Sequence, residues 1–180
     1  MKEWIDAGIG PPLLGVNLSV LQFKTPTEVE NDILAALAEF ALPPHLLELE
    51  LTEGILMEAS RRDDIFHRLD EAGVRIAIDD FGSRCSSFSY LGGLPVDRIK
   101  IAQKFTAALT ANSSAAKIVK ASIGLAHDLG LDVIVEGVET EAQLDLIKSW
   151  GCHKVQGFYF SKPLPAEETA VFLRANALAR

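Results

Sequence analysis

Six times along the chain a short apolar run ends in a polar residue and gives way to a helix-forming segment, and few folds accommodate that rhythm. The clearest case is the stretch 74–82. Val74, Ile76 and Ile78 fall at period two, Ala77 supplies a small opposite face, and Asp79 and Asp80 precede a Phe81-Gly82 turn. Neighbouring residues on a strand point to opposite faces, so two adjacent carboxylates at its end are costly unless the site is open or holds cations. A lone Asp-Asp pair would as readily cap the next helix. Repetition tilts the balance toward a shared site.

The remaining strands are expected at 13–19, 46–51, 98–101, 131–135 and 154–160. Helices are expected at 1–8, from Thr25 to Phe40, at 60–72, 113–129 and 140–150, and from Pro163 and Pro165 to about Leu178, with a loop over 86–94. Such alternation indicates a parallel α/β fold. Asn17, Glu50, Asp79, Asp80, Lys100, Glu136 and Gln156 all stand at strand C-terminal ends, which share one face in a parallel barrel, the face where active sites sit. A doubly wound sheet usually carries a Gly-rich phosphate turn, and neither G-x-G-x-x-G nor a P-loop pattern occurs, so a barrel is favoured.

With 180 residues, 48% of them hydrophobic, the chain has enough apolar content for one domain, 1–180. A formal charge of −8 argues against a nucleic-acid polymer or an anionic membrane surface as partner. It does not exclude a nucleotide, because bound divalent metals reverse the local charge. Cys85 and Cys152 lack ligand-like spacing and suggest a reduced, cytoplasmic domain. No run reaches transmembrane length and the Met1-Lys2-Glu3-Trp4 start lacks a signal-peptide core, so no membrane contact by this segment is expected, although it could be the cytosolic part of a larger anchored protein. Taken singly, Asn17 reads as a turn amide, Lys100 as a solvated cation, Glu139 as a first-turn helix carboxylate and Glu48 as a salt-bridge neighbour. His45, His67, His127 and His153 read as surface or packing residues, and Trp150 and Phe172 as helix-face residues packed against the barrel.

Six segments in order, spanning almost the whole chain, resemble the EAL domain family, bacterial phosphodiesterases that linearise cyclic di-GMP. They are Val16-Asn17-Leu18-Ser19, Leu49-Glu50-Leu51-Thr52-Glu53, Ile78-Asp79-Asp80-Phe81-Gly82, Ile99-Lys100-Ile101, Glu136-Gly137-Val138-Glu139-Thr140, and Gln156-Gly157-Phe158-Tyr159-Phe160 with Pro163. The resemblance implies a TIM-barrel-like (β/α) fold and cyclic di-GMP as ligand. It implies Asn17, Glu50, Asp79, Asp80 and Glu136 as ligands of two metals, Mg²⁺ or Mn²⁺ by their hard oxygen chemistry. Catalytic roles would fall to Glu50, Asp79, Asp80 and Lys100, with Lys100 orienting water or neutralising charge. Gln156 and Pro163 would support the site, while Glu53 and Glu139 would brace the loop after Asp80.

The sequence also departs from the family pattern. The Glu-Ala-Leu segment and the first strands are absent, so strand edges at 13–19 and 154–160 are expected to be covered by a second copy or another chain completing the barrel. The family's Lys-Ile-Asp is Lys100-Ile101-Ala102, and Ser83-Arg84-Cys85 replaces the usual Thr-Gly-Tyr. These losses favour a signalling domain that binds nucleotide or partner with weak or no hydrolysis. The alternatives are an active phosphodiesterase yielding linear pGpG once the missing part is supplied, and a scaffold that binds no nucleotide.

Overall fold

The computed structural model describes residues 1–11, 13–22, 25–59, 64–83, 93–111 and 113–177. Five strands are present among them: β1 (Leu14–Leu18), β2 (Leu47–Thr52), β3 (Arg75–Phe81), β4 (Arg98–Ile101) and β5 (Asp132–Val135). They form one sheet in the order β1-β2-β3-β4-β5 with every pairing parallel. Each strand lies beside its predecessor, which is the sequential winding a barrel requires.

Around the sheet run α1 (Lys2–Asp6), α2 (Pro26–Glu39), α3 (Glu53–Ala59), α4 (Ile65–Glu71), α5 (Gln103–Ala107), α6 (Ser114–Asp128), α7 (Glu141–Ser149) and α8 (Ala166–Ala177). Local chemistry starts several of them. Pro26 stands in the first turn of α2. The Ser113 hydroxyl accepts from the Ala116 N–H at the head of α6, and Thr140 and Gln143 form a reciprocal capping box on α7. No helix among the described residues is long and apolar enough to cross a membrane.

Alternation along the strands divides the molecule. Leu49, Leu51, Ile76, Ile78, Ile99, Ile101, Val133 and Val135 point outward into a core shared with Ile55, Leu56, Phe66, Leu69, Val119, Ile123 and Ile147 of the helices. Burying each such side chain contributes about 1.5–3 kcal/mol. The opposite face carries Gly15 and Asn17, Glu48 and Glu50, Ala77 and Asp79, Arg98 and Lys100, and Asp132, Ile134 and Glu136. Its polar strip holds the site.

Four expectations need correction. The strand expected at 154–160 is a single parallel bridge, Val135 to Val155, followed by a turn in which the Phe160 N–H bonds the Gly157 carbonyl. Gly157 presses so closely on the backbone of Val138 that a side chain there would collide with it, and the Tyr159 N–H bonds the Val138 carbonyl, turning the chain out of the sheet. The helix expected at 60–72 is shorter, α4, and is preceded by α3, which springs directly from β2 because Ile55 and Leu56 bury against the sheet. Residues 60–63 lie outside the described residues, as do most of the loop at 86–94 and Leu178. The short helix α5 was not expected at all. Trp150 packs against the core as expected, but Phe172 on α8 is exposed.

Candidate functional site

In the strand register Asn17 lies opposite Glu50, and Ala77 lies opposite both Glu50 and Arg98. Side-chain contacts then slant across that register and divide the polar strip into two tiers, a lower one of Glu48, Arg98 and Asp132 and an upper one of Glu50, Asp79, Lys100 and Glu136. Small Ala77 separates them on the central strand.

In the lower tier Arg98 Nη1 donates to both oxygens of Glu48, at 2.7 and 2.6 Å, and Nη2 donates to Asp132 at 3.0 Å. Lys154 adds a bond to Asp132 at 2.7 Å. Glu48 and Arg98 are buried, while Arg98 Nε finds no hydrogen-bond partner among the described residues. A cavity of about 650 Å³ opens beside this tier, reaching from Gly15 and Glu50 on one flank to His153, Lys154 and Gln156 on the other.

The upper tier converges on one atom. Lys100 Nζ donates to Glu50 Oε2 at 2.7 Å and lies 2.9 Å from Glu136 Oε1 and 3.2 Å from Asp79 Oδ1. That Asp79 oxygen is buried and accepts no hydrogen bond among the described residues. Gly15 makes room for the arrangement, since a Cβ there would fall on the Glu50 carboxylate. Three carboxylates against one ammonium leave a formal excess of two negative charges, which is the charge of one divalent cation.

Burial alone would lower the pKa of Lys100, but its bonds to Glu50 and Glu136 and the charge of Asp79 hold it above the ordinary lysine value. Burial pushes the Glu136 carboxyl up, against the pull of Lys100 and with the help of Asp79 and Glu50. Burial likewise raises Glu48 despite Arg98. An acid raised in the folded state is protonated in both states below the ordinary value of 4.5, costs stability increasingly as pH climbs from there to its folded value, and carries a constant cost above it. Glu136→Gln removes that cost. In urea titrations without metal, its stability relative to the parent should rise from pH 4.5 upward and then level off. A flat difference across that window contradicts the assignment.

The other expected site residues are placed as follows. Asn17 is exposed on the upper rim of edge strand β1. The β3–β4 register shifts between Ile78 and Phe81, and Asp80 sits on this irregularity, exposed and at φ 54°, so Asp79 turns inward while Asp80 stands outside the Lys100 cluster. Positive φ is uncommon for a non-glycine residue, although aspartate tolerates it better than most. Buried Glu53 accepts the Gly82 N–H at 2.7 Å, at the turn after Asp80. Lys104 adds a bond to the Ser83 carbonyl at 3.0 Å. Arg84 and Cys85 lie outside the described residues. Glu139 is exposed ahead of α7 with its backbone N–H on Gln143. Gln156 lines the cavity and its backbone bonds Val135 and Val138, and Pro163 is exposed. Ala102 is buried at the head of α5 and offers no side-chain cap. His45, His153 and Arg98 emerge as cavity residues without any motif to mark them. Arg98 could have been found from its period-two partner Lys100, which puts it on the same strand face.

Among the described residues no three His, Cys, Asp or Glu side chains already stand as a preformed metal cage. The carboxylates are instead spread around the ammonium.

Comparison with known proteins now bears on this geometry. The model of the EAL domain family matches residues 1–163. The chain belongs to the EAL family. MucR of Pseudomonas aeruginosa, a bifunctional diguanylate cyclase/cyclic di-GMP phosphodiesterase, is 40% identical over 169 residues, covering 93% of this chain and 24% of MucR. The solved MucR phosphodiesterase in complex with c-di-GMP superimposes with a TM-score of 0.86 at 38% identity, covering 94% of this chain and 73% of that one. The EAL domain of Mycobacterium smegmatis DcpA gives 0.88 at 36% identity, covering 97% and 78%. Klebsiella pneumoniae BlrP1, solved as a manganese/cy-diGMP complex, gives 0.75 at 28%, covering 90% and 42%. The five-stranded sheet is thus part of a TIM-barrel-like EAL fold, and cyclic di-GMP signalling is the business of the family. This EAL chain spans about a quarter of the length of the curated relatives it matches.

Proposed function

We propose that residues 1–180 act as one partial EAL domain that binds cyclic di-GMP with a divalent metal at the strand-end face and hydrolyses it weakly or not at all. The observation that carries this reading is the convergence of Glu50, Asp79 and Glu136 on Lys100 Nζ, an excess of negative charge held at the C-terminal ends of parallel strands. Relatives solved with cyclic di-GMP, and in one case manganese, supply the ligand chemistry. Orphaned Asp79 Oδ1, the space left by Gly15 and the all-oxygen donor set fit Mg²⁺ or Mn²⁺.

By the family resemblance Asn17, Glu50, Asp79, Asp80 and Glu136 would hold two metals, Glu50, Asp79 and Glu136 being the ones gathered at the Lys100 centre; metal bound there would neutralise phosphate charge and acidify water. Lys100 neutralises the carboxylates while no metal is bound, and Gln156 lines the neighbouring cavity. Glu53 fixes the turn that aims Asp79 and Asp80. Weak hydrolysis follows from Ala102, which has no oxygen to offer where the family carries an aspartate. The intact upper tier favours one alternative, an active phosphodiesterase giving linear pGpG when the remaining family strands are supplied.

The same reading extends to assembly. Among the described residues β1 is an edge strand, paired with β2 alone, beside the open cavity, and Val16 and Phe40 are exposed next to an apolar hollow of about 320 Å³. A second copy or another chain is inferred to complete the sheet there. Calorimetric titration of cyclic di-GMP with Mn²⁺ present, run with sedimentation of the same samples, tests both inferences. Binding should be saturable, lost in Glu50→Ala, and weakened about tenfold or more in Gly15→Ala, whose new Cβ displaces the Glu50 carboxylate. Equal binding by all three proteins contradicts the site, and a monomer at every concentration contradicts the assembly.

A further inference from the structure

We propose that Lys100 is the resident cation of this site: its ammonium and an incoming divalent metal compete for the same carboxylate oxygens, so the metal loads only as Lys100 withdraws. The inference rests on the reading above that this face takes a metal. Three carboxylates surround Nζ at 2.7, 2.9 and 3.2 Å. Those are hydrogen-bond distances for an ammonium. Mg²⁺ draws its oxygens to about 2.0–2.1 Å, so the two cations cannot share this centre.

Burial of the Lys100 side chain, 4% exposed, excludes water as the screening agent. Three close carboxylates hold the ammonium in place. Without it, Glu50, Asp79 and Glu136 would face one another as three like charges in a partly buried site, which is costly. The metal-free fold is therefore held together by the group that the metal must displace. Glu50 is the arm best placed to re-aim, because it lines the open cavity, whereas Asp79 and Glu136 do not.

The test is Mn²⁺ titration calorimetry on the parent chain, Lys100→Met and Lys104→Met. The last removes a nearby exposed cation that bonds the Ser83 carbonyl and lies over the Phe105 ring, and so measures general charge repulsion. Lys100→Met should bind Mn²⁺ at least about tenfold more tightly than the parent, and Lys104→Met within about threefold of it. A second measurement uses the parent chain alone: the side-chain ammonium resonance of Lys100, protected by its ion pairs, should shift or vanish on saturation with diamagnetic Mg²⁺. Lys100→Met binding no tighter than Lys104→Met overturns the competition but leaves the metal reading standing. Absence of Mn²⁺ binding in all three proteins overturns the metal reading and the competition together. Should Lys100→Met fail to fold, an unchanged Lys100 resonance at Mg²⁺ saturation overturns the proposal, and a displaced one supports it.

Discussion

Glu48→Ala should lower the unfolding free energy by about 3–5 kcal/mol, the cost of leaving a buried guanidinium without its main partner. Two short bonds disappear with the carboxylate, and Arg98 keeps only the bond to half-exposed Asp132. Arg98 Nε already lacks a partner among the described residues, so the remaining hydrogen-bonding capacity of that group is poorly met. The desolvation of both ions offsets much of what the pair contributes, so it is the broken pair, not its absence, that is expensive. The double variant Glu48→Leu with Arg98→Met should therefore recover most of the loss. Urea unfolding followed by circular dichroism reads both. A single-variant loss under about 1 kcal/mol would mean that water reaches Arg98 freely and that the lower tier is not a buried layer.

That lower tier also marks the limit of what the sequence discloses. The strand-end residues could be picked out because each stands at the close of a β-branched run, and parallel winding puts such ends on one face. Glu50, Asp79, Lys100 and Glu136 do meet there. The salt-bridge role read for Glu48 was legible from its period-two relation to Glu50, but its partner was not, because a pairing across fifty residues depends on register. The outward turn of Asp80 depends on an irregularity between β3 and β4 that no local pattern announces. The expected sixth strand failed for a related reason. Its apolar and aromatic residues suit a sheet, but Gly157 folds against Val138 and only Val155 keeps a bridge. β-propensity describes fit to a surface, and it cannot report which surface is present.

The second large effect concerns turnover. Hydrolysis through two metals needs a nearly complete oxygen shell around them. Ala102 stands buried at the end of β4 with no donor, one residue past Ile101 and two past Lys100. Losing a group that supports a metal ligand commonly costs about 10- to 100-fold, and losing a ligand itself costs more. On the proposed reading Ala102→Asp alone should not restore cleavage, because Lys100 still holds Glu50, Asp79 and Glu136. The most direct test is single-turnover cleavage of cyclic di-GMP at saturating Mn²⁺, with the MucR phosphodiesterase domain as the active reference. The expected result is bound nucleotide that stays cyclic, with a rate at least about 100-fold below the reference for the parent chain and for Ala102→Asp. Rapid cleavage to the linear dinucleotide by the unmodified chain, abolished by Glu50→Ala, would contradict the account.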